Sequence, residues 1–393
     1  MKGKKRIEST VTLRPAAGCA TDGEKRLAFG RCFRRVGCAF GRHFRRIGCA
    51  LVMLCVVLAT GCAMGEATGE NTTAGLEALE EGDYQGALTL FEQAVADGEQ
   101  QVLAYRGLGL ACMGLGDYEG AVDAFEAALA NTDSRMPSNT EDIRLYLATA
   151  QYRLQDYTDV IDTCTDILTA SEDGNADAYF LRGASYLQEG ETDKAASDFD
   201  AAVALEAEDY DLYLNIYECY VQANLSAVGV VYLQTAQNLK GDDTEYYYNQ
   251  GRIYYYLGNY TEAQRMLITP VEEKYEPAMY LIGKVYLAMD DYTHALAVYQ
   301  QIQDEFGESA ECYNGLAICA IQQGNYDTAL TYISLGLALD GTSGKQELYF
   351  NEIVAYERKL DFATAKEKAE AYVANYPTDE AGQKEWAFLS TRQ

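Results

Sequence analysis

The side chains able to do chemistry in this chain are few, and their spacing rules out more than it suggests. His294 is the single histidine after residue 62, which excludes a site built from several imidazoles. Past Cys62 the cysteines are Cys112, Cys164, Cys219, Cys312 and Cys319. An odd number at wide spacing is not a disulfide framework. Cys312 and Cys319 sit on one predicted helix with backbones about 10 Å apart, at 1.5 Å of rise per residue, beyond the reach of a disulfide. Packing in a core is the reading for all five. No glycine-rich phosphate loop follows a strand and no Gly-x-Ser-x-Gly elbow occurs. Carboxylates are many but scattered, so no acid–base pair stands out. The chain reads as no enzyme, with no metal site and no cofactor. Tyrosine is the unusual residue: all 32 follow Cys62. Aromatic rings beside cations offer large rigid area with hydrogen-bonding tips, which suits an extended peptide or a stacked sugar.

Cys62 has a different chemistry in view. It closes an apolar stretch, Ile47 to Thr60, preceded by a basic head and followed by small residues. These are the parts of an export signal, and the run is shorter than the ~20 residues a spanning helix needs. The ending Ala59-Thr60-Gly61-Cys62 resembles the lipobox of bacterial lipoproteins, although Ala59 stands where leucine is usual. The resemblance implies diacylation of Cys62, which becomes the mature N-terminus of an extracytoplasmic protein held to a membrane. Cys55 and Cys49 fit less well, the one following bulky Leu54 and the other close behind Arg46. The residues from Ala63 to Ala74 then form a tether reaching no more than about 40 Å, which places a partner near the membrane.

Charge divides the chain at the same point. Residues 1–61 carry 13 Lys and Arg against 3 Asp and Glu, and the remainder carries 18 against 57, a net of −39. The head holds an 11-residue duplication, Gly30 to Phe40 and Gly41 to Leu51. Its basic run suits a segment that stays by anionic cytoplasmic lipid. A nucleic-acid partner would need a basic footprint, so the acidic remainder excludes it. The same field favours basic protein partners.

The elements that must position the tyrosines repeat every 34 residues or so. Aligning the small residues gives nine units starting near Thr68, Val102, Glu141, Ala176, Tyr210, Thr244, Glu276, Ala310 and Gln346. In the second, Tyr105, Leu108, Gly109, Ala121, Phe125 and Ala128 recur at helical steps. Gly116 suits the left-handed end of one helix and Asp117 the N-cap of the next. The punctuation returns as Gly82-Asp83-Tyr84, Gly258-Asn259-Tyr260 and Gly324-Asn325-Tyr326. Twelve residues separate the small residues of paired helices: Gly75 and Ala87, Gly109 and Ala121, Gly183 and Ala195, Gly251 and Ala263, Gly283 and Ala295. Small side chains at a crossing let backbones approach, and Phe91, Phe125, Phe199, Leu267 and Tyr299 then fill the gap to the next unit.

This pattern resembles the tetratricopeptide repeat from about residue 68 to residue 379. The resemblance implies an all-α, right-handed superhelical solenoid of about nine helix pairs, whose first helices line a concave binding face. On that alignment Arg106, Tyr152, Arg153, Tyr248, Arg252, Tyr255, Tyr256, Tyr280, Lys284 and Asn314 face the groove, most densely in units six and seven. The lysine–asparagine pairs with which family members clamp chaperone-tail carboxylates are missing, since Arg106 is followed by Leu110 and Tyr280 by Lys284. Departures from the pattern predict irregularities: a polar loop with Met136 and Pro137, and Pro270 inside a second helix. Proline there costs roughly 3 kcal/mol, so a joint is expected at 269–277, dividing 68–269 from 270–379. Residues 380–393, with Trp386, Phe388 and Leu389, are expected to cap the open end. Together these features predict a lipid-anchored scaffold that binds a protein or peptide at the bacterial envelope. A carbohydrate-binding lipoprotein and a non-catalytic subunit of an envelope enzyme are the alternatives.

Overall fold

The computed structural model describes residues 69–132, 138–341 and 343–392. The expectations for the head, for Cys62, and for Met136 and Pro137 fall outside these residues, and the tether expected to reach Ala74 is shorter, because the first described helix already begins at Glu70. Among the described residues there are nineteen helices and no strand. No helix among them is long and apolar enough to cross a membrane.

The helices pack in consecutive pairs within two compact units, 69–226 and 227–392. The first unit holds α1 (Glu70–Glu81), α2 (Tyr84–Asp97), α3 (Gln101–Leu115), α4 (Tyr118–Ala130), α5 (Ser138–Leu154), α6 (Tyr157–Ala170), α7 (Ala176–Gln188), α8 (Thr192–Leu205) and α9 (Tyr210–Gln222). The second begins with α10 (Ser226–Gln237) and continues with α11 (Thr244–Tyr256), α12 (Tyr260–Glu272), α13 (Glu276–Ala288), α14 (Tyr292–Phe306), α15 (Ala310–Gln322) and α16 (Tyr326–Ala338). It ends with α17 (Lys345–Arg358), α18 (Phe362–Asn375) and the single helix α19 (Glu380–Ser390). Odd-numbered helices through α17 start within three residues of the repeat starts read from the sequence.

Local chemistry explains the pairs. Gly116 ends α3 at φ 80°, in the left-handed region, and passes the chain to Asp117, whose carboxylate accepts from the Gly120 N–H at 3.0 Å. Such a cap contributes ~1 kcal/mol. Asp83, Asn259, Asp291 and Asp361 cap α2, α12, α14 and α18 in the same way. Asp156 and Asn325 stand at the same position without that bond.

The core rests on aromatic rings seated on glycines. Gly75 and Gly107 both lie against the Phe91 ring, and Gly283 and Gly315 both against the Tyr299 ring. A Cβ on Gly107 would lie 2.2 Å from a Phe91 ring carbon, and one on Gly315 would lie 2.3 Å from a Tyr299 ring carbon. Phe91, Phe125 and Phe199 are wholly buried, and Tyr299 nearly so. One ring thus closes its own helix pair and joins it to the next first helix, which makes the packing propagate along each unit.

At the first helix the carboxylate of Glu99, itself buried, accepts from the Thr72 N–H at 3.0 Å, the Thr72 hydroxyl at 3.2 Å and the Asn71 amide at 3.2 Å. It therefore satisfies the open amides of α1 from outside the helix. Glu99→Ala should cost about 1–3 kcal/mol locally, because buried donors lose their partner. Faster hydrogen exchange confined to α1 would register it, and unchanged exchange there would refute the role.

Two expectations are corrected. Pro270 does not break its helix: α12 runs on to Glu272, the proline ring is buried, and its carbonyl accepts from the Tyr275 N–H at 2.9 Å. Only the last turn lies beyond the proline, so one amide bond is forgone while apolar ring surface is buried. Pro277 stands in the first turn of α13, where its missing N–H has no helical partner to lose. The boundary between compact units lies at 226/227, not at 269–277.

Candidate functional site

The groove residues expected from the sequence divide between the two units. Arg106, Tyr152 and Arg153 belong to the first. Arg106 forms an ion pair with Asp142 at 2.7 Å and lies over the Tyr146 ring at 5.3 Å. Arg153 lies over Tyr118 at 5.9 Å. Tyr152 is an interior residue, its ring edge-on to Tyr157 at 5.3 Å, and burial pushes its hydroxyl well above the ordinary tyrosine range.

In the second unit Tyr248, Arg252 and Tyr255 follow one another at four- and three-residue steps on α11, so they share a face. Arg252 sits over the Tyr248 ring at 5.6 Å and donates to Asn249 at 2.9 Å. The Tyr255 ring meets Tyr256 and Tyr260, each at 5.8 Å. On α13, Tyr280 and Lys284 are one turn apart. The Tyr280 hydroxyl is 2.7 Å from that of Ser309, and burial pushes its pKa up to about 12. Lys284 forms an ion pair with Glu311 at 2.9 Å. All six of these side chains are half-buried. They are neither core nor free surface, and they keep aromatic area and two cations together on two successive first helices. Asn314 is different: it is wholly buried and accepts from the Asn351 side chain at 2.8 Å. Its amide joins α15 to α17, and it leaves the groove set, as does Tyr152.

The other chemistry-bearing groups are accounted for. All five cysteines after Cys62 are buried, and burial pushes Cys112 up to about 11 and Cys312 and Cys319 up to about 12. Thiols held in that form are poor nucleophiles at neutral pH. His294 is exposed, 2.6 Å from Asp291 and stacked on Tyr286 at 5.2 Å.

Three arrangements escape a reading by repeat alone. Arg182 binds Asp198 at 2.8 Å through two guanidinium nitrogens while lying over Tyr179 and Tyr186, which ties α7 to α8. Exposed carboxylates gather on the second helices of the first unit, among them Glu92, Asp123, Glu126, Asp162, Asp166 and Asp200. Lys194 is the one basic residue along α2, α4, α6 and α8. The signal was present in the sequence as a repeat-register charge pattern. The third arrangement, a buried pair formed by Glu357 and Glu385, joins residues 28 apart and has only a weak signal, a glutamate at an apolar repeat position.

Profiles of the tetratricopeptide repeat match residues 72–135, 147–210, 244–268 and 286–344. No curated protein matches the sequence. Among solved structures, the chain is similar to a tetratricopeptide repeat protein from Parabacteroides merdae, at 16% identity and a TM-score of 0.47, over 74% of this chain and 100% of that one. It is also similar to YrrB, described as a TPR protein with an unusual peptide-binding site, at 21% identity and a TM-score of 0.35, over 43% and 84%. Yeast Tom70 shares 14% identity at a TM-score of 0.37, over 82% and 88%. The matched profiles together take in more than half of the residues, and the chain belongs to the tetratricopeptide repeat family.

Proposed function

We propose that this protein is a membrane-tethered scaffold of the bacterial envelope that binds a basic protein or peptide segment across α11 and α13. The carrying observation is the stripe of Tyr248, Arg252, Tyr255, Tyr256, Tyr280 and Lys284, half-buried on two consecutive first helices. Tyrosine rings lose little side-chain freedom on contact, and an arginine held over a ring is already oriented for a partner. The net charge of −39 after residue 61 supports the basic character of the partner by drawing it in over a Debye length of about 8–10 Å. Lipid on Cys62 supplies the attachment in this reading, and the signal-like residues before it support export.

Affinity capture from envelope extract tests the binding face, with the native protein beside an Arg252→Ala/Tyr255→Ala/Tyr256→Ala variant. The expected result is a partner retained by the first and lost by the second while circular dichroism stays the same. Equal recovery would move the site elsewhere, and capture of wall polysaccharide in place of protein would favour a carbohydrate ligand. The anchor has its own test. Cys62→Ser should release the protein from membranes in a carbonate wash, and continued sedimentation with them would contradict lipid attachment.

A further inference from the structure

The end of the chain carries a chemistry the repeat fold does not need. α19 packs on α18 and buries Gly382, Glu385 and Leu389, with Gly382 against the Tyr372 ring. Glu385 meets Glu357 of α17, and the two carboxyl groups hydrogen-bond each other. They are 8% and 4% exposed. Two carboxylates offer only acceptors, so a bond between them requires one proton. The remaining oxygens, Glu357 Oε2 and Glu385 Oε1, are wholly buried with no hydrogen-bond partner. Glu357 lies four residues after Ile353, and the corresponding positions of the two preceding repeats hold Leu287 and Ile321, both buried. A glutamate therefore stands in this repeat where the two before it place a buried aliphatic.

Among the described residues no ion pair reaches either carboxylate. On α17, Glu352 binds Lys368 of α18 at 2.9 Å, and Arg358 adjoins Glu357 at the helix end. Lys359, just past α17, binds Asp327 of α16 at 2.6 Å. On α18, Lys366, Glu367 and Glu370 are the remaining charged residues, and Asp361 caps its start. On α19, Lys384 binds Glu380 at 3.1 Å. Beside that helix, Arg392 lies over the Phe388 ring at 4.1 Å, and Asp379 accepts from Tyr372 and Gln346. Glu357 is the charged neighbour of Glu385.

We propose that the Glu357–Glu385 pair is a proton-operated latch: a single shared proton holds α19 on the last repeat, and loss of that proton loosens the cap. Burial, and then the neighbouring carboxylate, push Glu385 up to about 7. Its folded pKa thus exceeds the ordinary value of 4.5 it regains when α19 is undocked. The latch is fully engaged below about pH 4.5 and is lost as pH rises through about 7. For one proton the undocking constant grows tenfold per pH unit across that window and levels above it.

Hydrogen exchange of the 380–390 peptide in the intact protein from pH 5 to 9, corrected for intrinsic rates, measures that constant. The 310–322 peptide serves as the internal reference. Trp386, the single tryptophan of the chain, reports the same event by its emission. The expected result is growing exposure of α19 up to about pH 7 at constant helix content elsewhere. Glu385→Gln should leave α19 protected and flat with pH, whereas Glu357→Gln, which removes the neighbouring carboxylate but not the burial, should keep a smaller transition at lower pH. A pH transition that persists in Glu385→Gln, one left unchanged by Glu357→Gln, or no transition in the native protein, would overturn the latch.

Discussion

Replacing Phe199 by alanine should cost the 69–226 unit about 3–5 kcal/mol, the range for emptying a fully buried phenylalanine site. Phe199 is wholly buried. Its ring packs on Phe180 at 6.0 Å and edge-on to Tyr220 at 5.6 Å, and Gly183 lies against it. The cavity cannot collapse easily, because the residues lining it sit on two neighbouring helices, α7 and α9. Urea unfolding with exchange read across α7, α8 and α9 would measure the loss. Leu360→Ala supplies the contrast: that side chain is 74% exposed, and a surface change of this kind stays within about 0.5 kcal/mol. Equal effects of the two would mean that the rings do not carry the stack.

The second large effect is expected at Gly315. Alanine in a helix interior ordinarily gains roughly 0.5–1 kcal/mol over glycine. Here the added methyl would lie 2.3 Å from Tyr299, a ring that is itself trapped against Gly283. Overpacking of this sort costs typically 1–3 kcal/mol, so the clash outweighs the propensity and Gly315→Ala should destabilise the protein. Tyr299→Leu shortens the ring that is struck. The double variant should recover at least about 0.5 kcal/mol relative to the sum of the single changes, the sign of direct coupling. Strict additivity would show that the two residues do not meet.

Much of this was legible in the sequence because each repeat carries the same constraint. Gly109 and Gly283 are small because the Phe125 and Tyr299 rings seat against them, and Asp117 precedes Tyr118 because a helix must begin. Recurrence over nine units made the pattern readable even where one unit departs from it. The misses have physical causes. Pro270 looked like a break because an interior proline removes an amide bond, yet it stands in the last turn with its ring buried. Asn314 sits at a position that would face a groove, but Asn351 draws its amide into the interior. The partnership of Glu357 with Glu385 depends on how the terminal helix lies on the last repeat, which no repeat register specifies.

The binding face can be mapped directly with the partner recovered by affinity capture. Hydrogen exchange of the protein with and without it should show protection concentrated in 244–256 and 276–288, weakening as salt is raised. Protection confined to the acidic second helices of 69–226, or absent from α11 and α13, would contradict the placement of the site.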